Sequence, residues 1–390
     1  MKAPLIEPSS RIAGQEEYYF SVKLKQIREM NQTGETVINL GIGSPDRAPS
    51  QEVIEELARQ SQDGHVHGYQ PYQGIPELRT AFASWYSRFY EVNLDPDSQI
   101  LPLFGSKEGL MHIAMAFLGP GDAALVPDPG YPAYPAVTRL AGARVMSYPL
   151  LPENGWLPDL NFIELMGLHQ VKVMWVNYPH MPTGTRATKD LYAELVHFCR
   201  YHKILLVNDN PYSFILNENP ISLLSAPHAL ETALELNSLS KSHNMAGWRV
   251  GMVAGRKEYL DYLMRFKSQM DSGMFRPMQL AAARALEAGP EWYDNVNTVY
   301  RDRKVVVHQL LDHLGCTYDD DQSGLFVWAR IPEGEESGQA MADRILEEKR
   351  VFITPGFIFG HQGDLYIRVS LCQPKEVITQ AFNRIKGDNI

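Results

Sequence analysis

The sequence predicts an α/β protein: a large domain built on a mostly parallel sheet flanked by helices, joined to a smaller α+β domain. Three observations predict it. From residue 99 onward, short apolar runs alternate with amphipathic ones, the rhythm of βαβ units. At 390 residues the chain exceeds what one core organises, since single cores stop growing at about 250–300 residues. Beyond residue 285 the rhythm changes to one long helical run followed by scattered strands and helices. The expected division is 46–285 for the large domain, with 1–45 and 286–390 together forming the small one.

Taken in order, residues 18–30 form an amphipathic segment, 31–34 a turn and 37–40 a short apolar strand. Gly41-Ile42-Gly43-Ser44-Pro45-Asp46 follows, where Pro45 breaks the helix that a dinucleotide fingerprint needs. A simple turn is one reading of this stretch. Pro49-Ser50 opens a helix with Val53, Ile54, Leu57 and Ala58 on one face. His65 and His67 lack further ligands at zinc spacing and read as surface or packing histidines, so no metal is expected. The segment 69–79, with Tyr69 at its head, leads into a helix through Trp85 and Tyr90.

Residues 99–104 read as a strand, and Gly105-Ser106-Lys107-Glu108 as the turn onto a helix bearing Leu110, Ile113, Ala114 and Phe117. The free N–H groups at such a helix start can hold a phosphate, with the Ser106 hydroxyl beside them. The strand 123–126 is followed by Tyr131, and 171–176 by Asn177 and the segment to Gly184. After a helix over 189–201, the strand 204–207 delivers Asp209 and Tyr212. Strands at 233–236 and 250–255 enclose a polar loop, 237–249, with Lys241 at its centre. A helical stretch runs over 257–270. The tail shows a helix at 292–314, a strand at 325–328, a helix at 339–348 and a strand at 365–371. Arg368 stands inside that last apolar strand, where a charge needs an anionic partner.

Composition narrows the function class. With 46 acidic and 36 basic residues, a net charge of −10 and no basic run, neither nucleic acid nor an anionic membrane is an expected partner. Cys199, Cys316 and Cys372 lie far apart, in segments read as helix, loop and strand, which argues against a disulfide framework. The first eight residues lack a signal peptide's apolar core, and no window approaches membrane-spanning length, so a cytoplasmic protein is expected.

Lys241 is flanked by Ser240 and Ser242 and followed by Arg249. Its amine can form a Schiff base, while Ser238, Ser240 and Arg249 can hold a phosphate of the same cofactor. Here the chain resembles the pyridoxal-phosphate-dependent aminotransferases of fold type I, in the class I/II group, whose motif runs S-x-S-K, a few polar residues, then G-x-R-x-G. The resemblance extends from Gly41 to Arg368 with the motifs in family order. It implies that Lys241, Asp209 and Tyr212 are catalytic. Ser106, Lys107, Ser238, Ser240 and Arg249 would bind the cofactor phosphate, joined by Tyr69 from a partner subunit, while Tyr131 would stack on the pyridine ring. Gly43 and Arg368 would bind the substrate, Arg368 at its α-carboxylate. Amino-acid and 2-oxo-acid substrates and a homodimer with shared sites are implied too. The stretches 67–74, 102–109 and 127–132 look most like those of the LL-diaminopimelate and alanine aminotransferases. One position departs from the family pattern: Met181 stands where the second of two paired asparagines is usual, and a thioether cannot donate as an amide does. A β-eliminating lyase on the same fold, or a cofactor-binding protein with little catalysis, would share most of these motifs.

Overall fold

Apolar runs become strands here because both faces of each are covered: Val171–Val176 and Ala233–Ser238 are buried almost throughout. The computed structural model describes residues 5–13, 17, 19–32, 34 and 36–387. Residues 1–4, Tyr18 at the head of the expected first helix and Thr33 in the expected turn lie outside the described residues. In chain order the strands are β1 (Ile38–Asn39), β2 (Ile100–Leu103), β3 (Ala123–Asp128), β4 (Arg144–Pro149), β5 (Val171–Val176), β6 (Leu205–Asp209), β7 (Ala233–Ser238), β8 (Gly251–Gly255), β9 (Thr317–Tyr318), β10 (Phe326–Arg330), β11 (Val351–Phe352), β12 (Thr354–Pro355) and β13 (Tyr366–Ser370).

Seven of these form one sheet in the order β2-β8-β7-β6-β5-β3-β4. β8 runs antiparallel to both neighbours and the other pairs are parallel. The carboxyl ends of β2, β3, β5, β6 and β7 therefore open on one edge, and β8 starts from that same edge. Side chains alternate across the sheet: Leu125, Met174 and Leu206 enter one core, Val126, Trp175 and Val207 the other. Each fully buried aliphatic of this kind contributes about 1.5–3 kcal/mol. Helices Ser106–Phe117 and Lys257–Lys267 cover one face, and Pro76–Tyr90, Lys189–His202 and Arg276–Leu286 the other.

A second, antiparallel sheet has the order β12-β13-β10-β9. Its core joins Val327, Ile367 and Val369 to Val307 and Leu310 of helix Pro290–His313 and Ile378 of helix Lys375–Lys386.

Some expectations need correction. Lys241 lies not in a loop but on a one-turn helix, Leu239–Ser242, that the Ser238 hydroxyl caps. The helix expected over 257–270 ends at Lys267. β4 and helix Ala133–Leu140 were not foreseen; β4 is an edge strand with only Met146 and Tyr148 fully buried, too weak an apolar pattern to stand out. Cys372 lies two residues past β13, not within a strand.

Candidate active site

Five strand ends and β13 enclose a cavity of about 680 Å³. At the end of β7, Ser238 accepts a hydrogen bond from the Ser240 N–H at 3.2 Å, which turns the chain into the short helix carrying Lys241. The Lys241 ammonium donates to the Gly43 carbonyl at 2.5 Å. Burial above all, with the Arg249 and Arg368 cations nearby, holds that ammonium below the ordinary lysine range, while Cys372 and Asp209 act the other way. A lysine so placed spends more time as the neutral, nucleophilic amine.

Asp209 is the last residue of β6 and is 4% exposed. Tyr134 Oη donates to its Oδ2 at 3.2 Å, whereas Oδ1 is buried with no hydrogen-bond partner. Burial raises its pKa from 3.8 to about 7, against the Tyr134 and Ser106 hydroxyls and the Lys241 ammonium. An orphaned carboxylate oxygen at the cavity wall calls for a cation or an N–H donor. Tyr131 follows β3 and meets the Tyr134 ring edge-on at 5.6 Å; Tyr212 follows β6 and meets Phe326 edge-on at 6.2 Å.

The opposite end is built for an anion. Gly105 has φ +85°, and a Cβ there would lie 2.3 Å from the Arg249 guanidinium, so only glycine allows this approach. Ser106 and Lys107 open the helix Ser106–Phe117 beside it. Arg249 Nη1 donates to the Ala246 carbonyl at 3.0 Å and to Ser240 Oγ at 3.3 Å, and Ser238 Oγ donates to Ser240 Oγ at 2.9 Å. Burial, then the neighbouring Arg249 charge, pushes the Lys107 ammonium down. Two cations, three hydroxyls and a helix start thus converge on one spot.

Across the cavity, Arg368 is 4% exposed on β13. One Nη donates to the Gly41 carbonyl at 2.8 Å and the other to the Met181 thioether at 3.2 Å. Its Cζ lies 3.7 Å from the Phe326 ring centre and 4.7 Å from that of Phe359. The segment before Gly43 is lashed to β13, with Ser370 N donating to Leu40 O at 2.7 Å and Ser370 Oγ to Ile42 O at 2.8 Å. A Cβ on Gly43 would lie 2.1 Å from Phe326 Cζ, so glycine serves packing as well as backbone approach.

Ser106, Lys107, Tyr131, Asp209, Tyr212, Ser238, Ser240, Lys241, Arg249, Gly43 and Arg368 all line this cavity; Tyr69 does not, and is 92% exposed. Several participants were not foreseen. Tyr134 holds Asp209, and Asn177 donates to the Asp209 backbone carbonyl while accepting from Met181 N at 2.8 Å. Arg303 forks onto Asp46 with two bonds of 2.7 Å, securing the glycine segment from below. Tyr134 sits in a helix the apolar pattern did not reveal, and Arg303 meets Asp46 only once distant parts of the chain come together.

The sequence profile of the aminotransferase class I and II family matches residues 35–385. The chain belongs to that family. It is 40% identical over 379 residues to an LL-diaminopimelate aminotransferase of Dehalococcoides mccartyi, covering 97% of each chain. Among solved structures it resembles substrate-bound BacF of Bacillus subtilis, with a TM-score of 0.93 and 35% identity over 98% of this chain and 97% of that one. A Thermus thermophilus aspartate aminotransferase mutant gives a TM-score of 0.90 at 27% identity, over 97% and 99%.

The aminotransferase therefore uses pyridoxal phosphate. Its residues fit that cofactor: an anion clamp at one end, a lysine amine for the aldehyde, and an orphaned carboxylate oxygen for the ring N–H. The fit yields a pH prediction for the cofactor-free protein. The unfolded chain holds the Asp209 proton up to its ordinary 3.8, the folded chain up to about 7. The stabilising effect is thus present below pH 4 and lost as pH rises to 7, by roughly 4 kcal/mol over the window. Asp209→Asn should lack this loss, so denaturation at pH 4, 6 and 8 should show a shallower decline in the variant; parallel declines would refute the assignment.

Proposed function

We propose that this enzyme moves an amino group between an L-α-amino acid and a 2-oxo acid, with Lys241 as the proton carrier and Arg368 as the carboxylate fork. The observation that carries the reading is the position of Lys241 Nζ, in one cavity with the Asp209 carboxylate and the Arg368 guanidinium. When bound, pyridoxal phosphate supplies an aldehyde that condenses with amines and a ring that withdraws electrons. Ser106, Lys107, Ser238, Ser240 and Arg249 would grip its phosphate, Tyr131 its ring face, Asp209 its ring nitrogen and Tyr212 its phenolic oxygen. Arg368 would orient the substrate by its α-carboxylate, and Lys241 Nζ would carry the proton from the substrate α-carbon to the carbon that was the cofactor's aldehyde. Product formation that requires an added 2-oxo acid supports this reading; ammonia release without an acceptor would support β-elimination and overturn it.

A homodimer with shared sites completes the proposal. Tyr69, Tyr72, Met270 and Phe275 are exposed, and the two segments that carry them meet where His67 stacks on Phe275 at 5.7 Å and a Cβ on Gly273 would touch the Gln70 carbonyl. An apolar patch of this kind suits a subunit contact. Mixing inactive Tyr69→Phe and Lys241→Ala subunits should restore activity, because a mixed dimer holds one site with both residues intact. No recovery after confirmed subunit exchange would remove Tyr69 from the partner's site. Separate cores for the two sheets support the division into 46–285 against 1–45 with 286–390. Three buried, unpaired cysteines support a cytoplasmic setting; among the described residues no helix is long and apolar enough to cross a membrane.

A further inference from the structure

Residues 39–48 run past both cations that the proposed reaction uses. The Gly41 carbonyl accepts from an Arg368 Nη at 2.8 Å, and the Thr354 hydroxyl also donates to it at 3.1 Å. The Gly43 carbonyl accepts from Lys241 Nζ at 2.5 Å. Two carbonyls on one short stretch of backbone thus set where the amine and the guanidinium stand relative to each other. Whatever fixes that stretch fixes the spacing of the reacting groups.

Its first half is fixed by β13, through the Ser370 N–H on Leu40 and the Ser370 hydroxyl on Ile42. Beyond Gly43 stands Asp46, and the Arg303 guanidinium closes on it with two bonds of 2.7 Å. Nη1 of the same fork donates to the Leu371 carbonyl at 3.0 Å, just past the end of β13 and three residues after Arg368. One guanidinium therefore ties the far end of the glycine stretch to the far end of the strand that carries Arg368. The Arg303 side chain is 6% exposed and that of Asp46 22%, so solvent screens the pair little. Neither residue is among those lining the cavity.

We propose that Arg303 is a positioning residue for the reaction. Through Asp46 and Leu371 it holds the Gly41–Gly43 backbone against β13, and so sets where Lys241 and Arg368 meet the substrate. The proposal rests on the reading of Arg368 as the carboxylate fork. A lysine at position 303 keeps the charge but cannot present two parallel N–H donors to Asp46 together with a bond to Leu371. A buried ion pair that only staples the small domain would behave differently, since its loss lowers the melting temperature and leaves the kinetic constants alone. The anion clamp of Gly105, Ser106, Ser240 and Arg249 lies at the opposite end of the cavity and serves as an internal control.

The test uses the full, cofactor-loaded protein with its best amino donor. Arg303→Lys should lower kcat/KM about 30-fold, through a higher KM and a lower kcat, while the affinity for pyridoxal phosphate changes less than about 3-fold. A double-mutant cycle reads the route. In an Arg368→Lys background the same substitution should cost no more than about 5-fold, because one of the two groups it positions is already lost. Asp46→Asn keeps the shape of the acceptor and should move the same constants in the same direction by about 5-fold, which covers a failure of Arg303→Lys to fold. Unchanged constants in either folded variant, or a loss confined to the melting temperature, would overturn the proposal. So would an equal factor in both backgrounds, or cofactor affinity that falls in step with kcat/KM. A loss in Arg368→Lys with none in Arg303→Lys marks this proposal alone as the one that fails; no loss in Arg368→Lys marks the carboxylate reading, and this proposal with it.

Discussion

Lys241→Ala should lower turnover by at least about 10⁴-fold and leave the protein folded. In the proposed reaction Lys241 is both the amine that receives the aldehyde and the group that moves the α-proton. The side-chain hydrogen bond lost is that to the Gly43 carbonyl. The anion clamp made by Gly105, Ser106, Ser240 and Arg249 does not depend on it. Steady-state kinetics beside a thermal melt separate the two effects. A variant that retains more than a tenth of the activity would remove Lys241 from the chemistry.

Arg368→Lys should cost about 100-fold in kcat/KM, divided between a higher KM and a lower kcat. A guanidinium presents two parallel N–H donors to a carboxylate, and an ammonium presents a point charge. Its flat face also packs between Phe326 and Phe359, which an ammonium does not fill. The rise in KM reports lost grip on the α-carboxylate. The fall in kcat reports looser orientation of the α-carbon bond to be broken. Unchanged constants with the best donor would mean that another group binds the carboxylate.

Most of the large sheet was legible because its strands are continuous apolar runs ended by Gly, Pro or polar residues. Tyr131, Asp209 and Lys241 were legible for a related reason: each polar group follows an apolar run, and parallel strands bring such positions to one edge. What stayed hidden depends on partners distant in sequence. Glu235 sits in the apolar run of β7 and is wholly buried, and only the fold reveals that Tyr86, Ser222, Asn208 and the Leu223 N–H satisfy it. The Arg303–Asp46 fork joins residues 257 positions apart. Met181 was visible as a departure, yet its contact with Arg368 required two segments to meet in space.

Everything proposed for the chemistry depends on Lys241 holding pyridoxal phosphate between turnovers, and Lys107, a second cavity lysine whose ammonium is also pushed down, is the obvious rival. Reducing the loaded protein with borohydride, digesting it and mapping the modified peptide decides between them. The label is expected on Lys241 alone. Label on Lys107, or on any other lysine, would refute the role given to Lys241.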